Sequence, residues 1–91
     1  RIVQTFEQKS ALVELLDRGL ETKGVQVIIG SETEHTELSD CSLITAAYSG
    51  KRGTLGTLGV IGPNRMPYAT IIPIVDYTAS LISRLLDTDN D

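Results

Sequence analysis

Apolar residues recur along this chain in two rhythms, and each rhythm predicts its own kind of element. Over residues 7–23, EQKSALVELLDRGLETK, the residues Leu12, Leu15, Leu16 and Leu20 line one stripe of a helix. Glu14 and Arg18 lie four apart, placed to pair on its outer face. Gly19 inside the pattern weakens the last turn, and Gly24 just beyond it is suited to a left-handed stop. VQVIIG (25–30) then switches to β-branched residues and predicts a strand with Val25, Val27 and Ile29 on one face. The polar stretch SETEHTELSD (31–40) has no sustained period and is a loop. CSLITAAYS (41–49) and LGTLGVIG (55–62) are the next two strands. The turn SGKRGT (49–54) joins them as an antiparallel hairpin, with Gly50 and Gly53 available for positive φ.

The longest pattern covers about 66–86. Tyr68, Ile72, Val75, Ala79, Ile82 and Leu86 step along one face of a helix, widened by Ile71 and Leu85. Pro67 suits the first helical position, whereas Pro73 removes one hydrogen bond and should bend the helix. The expected fold class is therefore α+β, in the order helix–strand–strand–strand–helix around an antiparallel sheet. Neither hairpin strand alternates cleanly, since Leu43 and Ile44 are neighbours, as are Val60 and Ile61. Both sheet faces thus carry apolar side chains. If the helices pack on one side, the other face needs cover from a partner subunit or from further parts of the same domain.

Ninety-one residues amount to one domain or part of one. A net charge of −4, from eight basic and twelve acidic residues, opposes nucleic-acid binding by this segment, because no Lys/Arg cluster is present to displace counterions. Cys41 is the one cysteine and cannot close an internal disulfide, which fits a reducing compartment such as the cytoplasm. The uninterrupted apolar runs fall short of a membrane span, and no membrane association is expected. The chain opens RIVQTFEQKS, without an initiator Met or the charged-then-apolar pattern of a signal sequence. It is expected to be the interior or C-terminal part of a longer polypeptide.

Little here suggests catalysis. The glycines at 53, 56, 59 and 62 invite comparison with a phosphate loop, but Gly62 is followed by Pro63-Asn64 where a Walker loop needs Lys-Ser/Thr. Glycines in a strand more simply permit twist, a bulge or close approach by another group. Glu32, Glu34, His35, Glu37 and Asp40 crowd together without the spacing of an EF-hand, and a solvated loop accounts for them. Cys41 has no positioned base, and no nucleophile–base–orienter set is apparent, so the chain is not expected to be an enzyme. The stretch Asn64-Arg65-Met66-Pro67-Tyr68 remains. It joins a strand to a proline-started helix, where helix N-terminal amides favour anions. On one reading Asn64 caps the helix and Arg65 pairs with Asp76 or a glutamate of the 31–40 loop. On the other, Asn64, Arg65 and Tyr68 form a contact surface for an effector or another domain.

IGSE (29–32), SLITAAYS (42–49) and GTLGVIGPNRMPYATIIPIVDYTASLISRLL (56–86) resemble the C-terminal region of the heat-inducible transcription repressor family HrcA. The family's recognisable stretch runs Gly-x-x-Gly-Val-Ile-Gly-Pro-Thr-Arg-Met-Asp-Tyr, and this chain carries it from Gly56 to Tyr68. It departs at Asn64, where Thr is usual, and at Pro67, where Asp is usual. The resemblance implies a bacterial repressor with an N-terminal winged helix, a GAF-like domain and an inserted dimerisation segment. Residues 1–91 would be the C-terminal part of that GAF-like domain, a partial sandwich lacking the winged helix. It further implies a homodimer that represses chaperone operons of the dnaK and groE type through the CIRCE inverted repeat, with the GroEL chaperonin promoting its active state. GAF domains often hold small ligands, so a sensor in which Arg65 and Tyr68 read an anionic molecule is the alternative. No haem, tetrapyrrole or nucleotide signature is present, and no cofactor is expected.

Overall fold

A computed structural model describes residues 6–22 and 24–89. Its elements are α1 (Phe6–Arg18), β1 (Val25–Ile29), β2 (Cys41–Gly50), β3 (Gly53–Pro63) and α2 (Tyr68–Asp89). The strands form one antiparallel sheet in the order β1-β2-β3, so the expected α+β order of elements is the observed one.

The doubly apolar character of β2 is explained by its position. Ile44 and Ala46 point to one face, where they pack with Met66, Val75 and Ala79. Leu43 points to the other and packs with Ala11, Leu15 and Leu38. The sheet is therefore the middle of three layers, with α2 on one face and α1 on the other. The second face of the central strand is covered from within the chain. Each fully buried Ile or Val in these two cores contributes about 1.5–3 kcal/mol relative to exposure.

Helical geometry differs from the sequence expectation in its details. α1 ends at Arg18, and Gly19–Glu21 tighten into a short 3-10 turn. Gly19 is buried there, and a Cβ on it would lie 3.1 Å from the Thr57 methyl of β3. The glycine thus allows the chain to settle against the sheet, and the tighter turn leaves Leu20 37% exposed. Gly24 has φ 81°, the left-handed conformation expected of the stop. In the hairpin only Gly53 has positive φ (112°), while Gly50 does not. Residues 31–40 are not an open loop. They contain two 3-10 turns, Gly30–Glu32 and Thr36–Leu38, and Leu38 inserts into the core beneath α1.

α2 runs through Pro73 without a break. Val75 and Ala79 are its fully buried residues, and Leu85, expected on the packed face, is 56% exposed. The apolar stretches separated by single polar residues add up, over Tyr68–Asp87, to a helix long and apolar enough by length and composition to cross a membrane. Uninterrupted runs alone did not indicate this. The same helix lays Val75 and Ala79 on the sheet and keeps Asp76 and Arg84 exposed, as a helix packed on a sheet does.

Candidate functional site

The strand-to-helix corner is built from β3 outward. Pro63 ends the strand, and its carbonyl accepts from Met66 N–H at 3.1 Å, turning the chain. Met66 folds inward as a core residue and lies over Gly62, where a Cβ would come within 2.8 Å of its sulfur. The Pro67 carbonyl accepts from the N–H groups of Thr70 and Ile71, so the first helical turn is closed on Pro67.

Asn64 does not cap that turn. Its side chain reaches back to β2, where Ser42 Oγ donates to Asn64 Oδ1 at 2.8 Å. Its amide nitrogen faces the Ser39 carbonyl at 3.4 Å, a long contact. Tyr68 completes the cluster, its hydroxyl lying 2.9 Å from Ser42 Oγ and 2.8 Å from the Asn64 carbonyl oxygen. A hydroxyl carries one proton, so these three contacts share the two protons of Ser42 and Tyr68. Ser42 is only 1% exposed and is the hub on which the corner turns. Sequence reasoning did not single it out. Its signal was a serine on the side of β2 that otherwise presents Ile44 and Ala46.

Arg65 is separate from this network. It is exposed and makes no ion pair among the described residues, neither with Asp76 nor with the 31–40 segment. Of the three candidate contact residues, Asn64 and Tyr68 brace the corner from within, and Arg65 is displayed by it.

The acidic segment has a different use. Arg18 pairs with Glu14 at 2.8 Å, as the helical spacing predicts, and also reaches Glu34 at 3.3 Å. Glu34 is held below the usual carboxylate range by its own backbone N–H first and by Arg18 second. His35 sits between Glu14 and Glu37, with Nε2 3.1 Å from Glu14 Oε2. That approach is close enough for ion pairing when the ring is protonated, but it is not aligned as a hydrogen bond. Among the described residues no three His, Cys, Asp or Glu side chains are grouped to hold a metal.

The strand glycines also have local explanations. The Tyr48 ring lies across Gly56 and Met66 across Gly62, while Gly59 lies close to the Ile44 carbonyl and the Thr45 methyl. They admit neighbouring groups to the sheet surface. A cleft of about 310 Å³ opens between α1 and the hairpin, lined by Val13, Leu16, Leu20, Tyr48 and Leu55 among others, away from Arg65.

The sequence that builds this fold and corner is similar to those of transcription repressors. The family model described as "HrcA protein C terminal domain" matches residues 1–72. Three similar relatives are each called heat-inducible transcription repressor HrcA. The one from Geobacter sulfurreducens is 55% identical over 86 residues, covering 94% of this chain and 25% of the relative. That from Methylobacillus flagellatus is 44% identical over 90 residues, covering 99% and 26%. That from Methylococcus capsulatus is 49% identical over 86 residues, covering 94% and 25%. No solved structure matches the chain significantly. The chain belongs to the HrcA family, and it spans about a quarter of the length of the curated relatives it matches.

Proposed function

We propose that this chain is the closing part of a GAF-like regulatory domain in a heat-inducible transcription repressor. It holds DNA-binding domains elsewhere in the polypeptide in an operator-competent arrangement. The observation that carries this reading is the stretch from Gly56 to Tyr68, whose residues build one braced strand-to-helix corner in a chain 44–55% identical to named repressors. A second feature supports membership of a larger domain. β3 is eleven residues long, carries no charged side chain and lies at the sheet edge, with one side unpaired among the described residues. Natural proteins seldom leave such an edge open. Pairing with a strand from outside this chain would close it.

In this reading the complete protein is a cytoplasmic homodimer that represses chaperone operons of the dnaK and groE type at the CIRCE inverted repeat. The GroEL chaperonin supports it by favouring the folded form, since whatever binds the folded form shifts the population toward it. The acidic balance of this segment fits a role remote from DNA. The test is operator retention by the complete repressor after a heat pulse, with and without chaperonin. Retention should be higher with chaperonin, and equal retention would remove the chaperonin from the mechanism.

The small-molecule sensor has less support. Tyr68 would have to read the ligand with a hydroxyl already engaged by Ser42 and the Asn64 carbonyl. A thermal-shift screen of the complete domain against nucleotides and anionic metabolites decides it.

A further inference from the structure

α2 is fastened to β2 by hydroxyl groups at two places. Near its start, Tyr68 Oη meets Ser42 Oγ at 2.9 Å. Toward its end, Ser83 Oγ accepts from Ser49 N–H at 3.0 Å and donates to the Ala79 carbonyl at 2.9 Å. The second contact falls where the β2–β3 pairing shifts register, between Tyr48 and Ser49. The two spacings agree. Seven residues of strand from Ser42 to Ser49 span about 23 Å, and fifteen residues of helix from Tyr68 to Ser83 span about 22 Å. The helix therefore lies along the central strand, running in the same direction.

Between these fastenings the contact is thin. Val75 and Ala79 are the fully buried helix residues, both small, and Ile74, Tyr77, Leu81 and Leu85 point away from the sheet. Pro73 has no N–H to give to the Ala69 carbonyl, so the first turn and the rest of the helix are joined by a weakened ladder. Thr78 and Ser83 each donate a side-chain proton to the carbonyl four residues back, which competes with the helix's own bonding. The N-terminal end is held by the Ser42 cluster, by buried Met66 and by the short connection from β3. The C-terminal half has the Ser83 fastening, buried Ala79 and partly buried Ile82 and Leu86.

We propose that α2 is a hinged arm that lifts from the sheet from its C-terminal end, pivoting near Pro73, while the β2–β3 hairpin stays folded. Ser83 is the catch. The hinge rests on the geometry alone. Its use as the first heat-labile step of a repressor rests on the functional reading above.

Hydrogen exchange on the complete polypeptide tests it. Amides of residues 74–86 should exchange through openings about ten-fold more frequent than those exposing residues 42–46. Ser83→Ala should raise α2 exchange a further five- to ten-fold, roughly the effect of one lost hydrogen bond. Residues 42–46 should be unchanged, and Ser83→Thr should restore the original rate. A shared opening frequency for α2 and β2 in the unsubstituted protein, or an equal rise in both with Ser83→Ala, overturns the hinge. Operator release is measured separately on the same variants. Should Ser83→Ala free the helix yet leave the release temperature unaltered, the hinge stands and its regulatory use is refuted.

Discussion

At Gly30 an added methyl group would overlap the Leu38 carbonyl oxygen and lie 2.7 Å from that of Cys41. Both obstacles are backbone. Gly30→Ala should therefore destabilise the domain by about 2–3 kcal/mol, the upper range of overpacking. Gly62→Ala meets only the Met66 side chain, which can re-pack, and about 1 kcal/mol is expected. Denaturant midpoints of the two variants give the comparison, and a smaller loss at Gly30 would contradict it. Arg65→Ala, at an exposed and unpaired side chain, should stay within about 0.5 kcal/mol of the original protein. Glu34 gives a pH signature. Its carboxylate is depressed in the folded state, so its stabilising share is complete above its ordinary value of 4.5 and disappears as pH falls through the folded value. The unsubstituted protein should exceed Glu34→Gln slightly at neutral pH, and the two should converge in acid. Both partners are exposed, so the difference is small. At this scale the Glu14–Arg18 pair was legible because helical spacing alone sets it. The Ser42 hub was not, because it joins residues more than twenty positions apart in sequence.

Among the elements, the period of the apolar residues placed both helices and all three strands within a few residues. It also placed the core face of α2 correctly at Val75 and Ala79. It failed where tertiary contact overrode local pattern. α1 stops early because Gly19 must approach Thr57, and the 31–40 segment is pinned by Leu38. A lone leucine in an acidic stretch gives no periodic signal. Leu38→Ala should accordingly behave as a core substitution, costing about 2–4 kcal/mol, although its surroundings in sequence look like solvent-facing loop. Thermal unfolding checks this, and a loss below about 1 kcal/mol would mean that the segment is not anchored there. The covering of both sheet faces was also unresolved by pattern. Apolar residues on both sides of a strand show that two layers exist, without showing which element supplies each.

For the whole molecule, the open edge of β3 sets the behaviour of this segment in isolation. Eleven residues without a charge present backbone groups left unpaired among the described residues, with Leu55 and Val60 exposed along the same strand. The isolated 91-residue chain should self-associate in sedimentation experiments, and Val60→Lys should shift it toward monomer by placing a charge on the edge. A monomeric unsubstituted chain at high concentration would show that the edge is already protected.

β2 serves two cores from alternate residues, with Leu43 facing α1 and Ile44 facing α2. Deleting or inserting one residue between Ser42 and Ser49 would turn half the strand over, so that the Ser42 hydroxyl and the residues beyond the change could no longer both face their present partners. Exchanges of side-chain volume at these positions trouble one layer at a time. A frameshift of the pleat disturbs both layers at once, so this strand should accept many spellings but only one length.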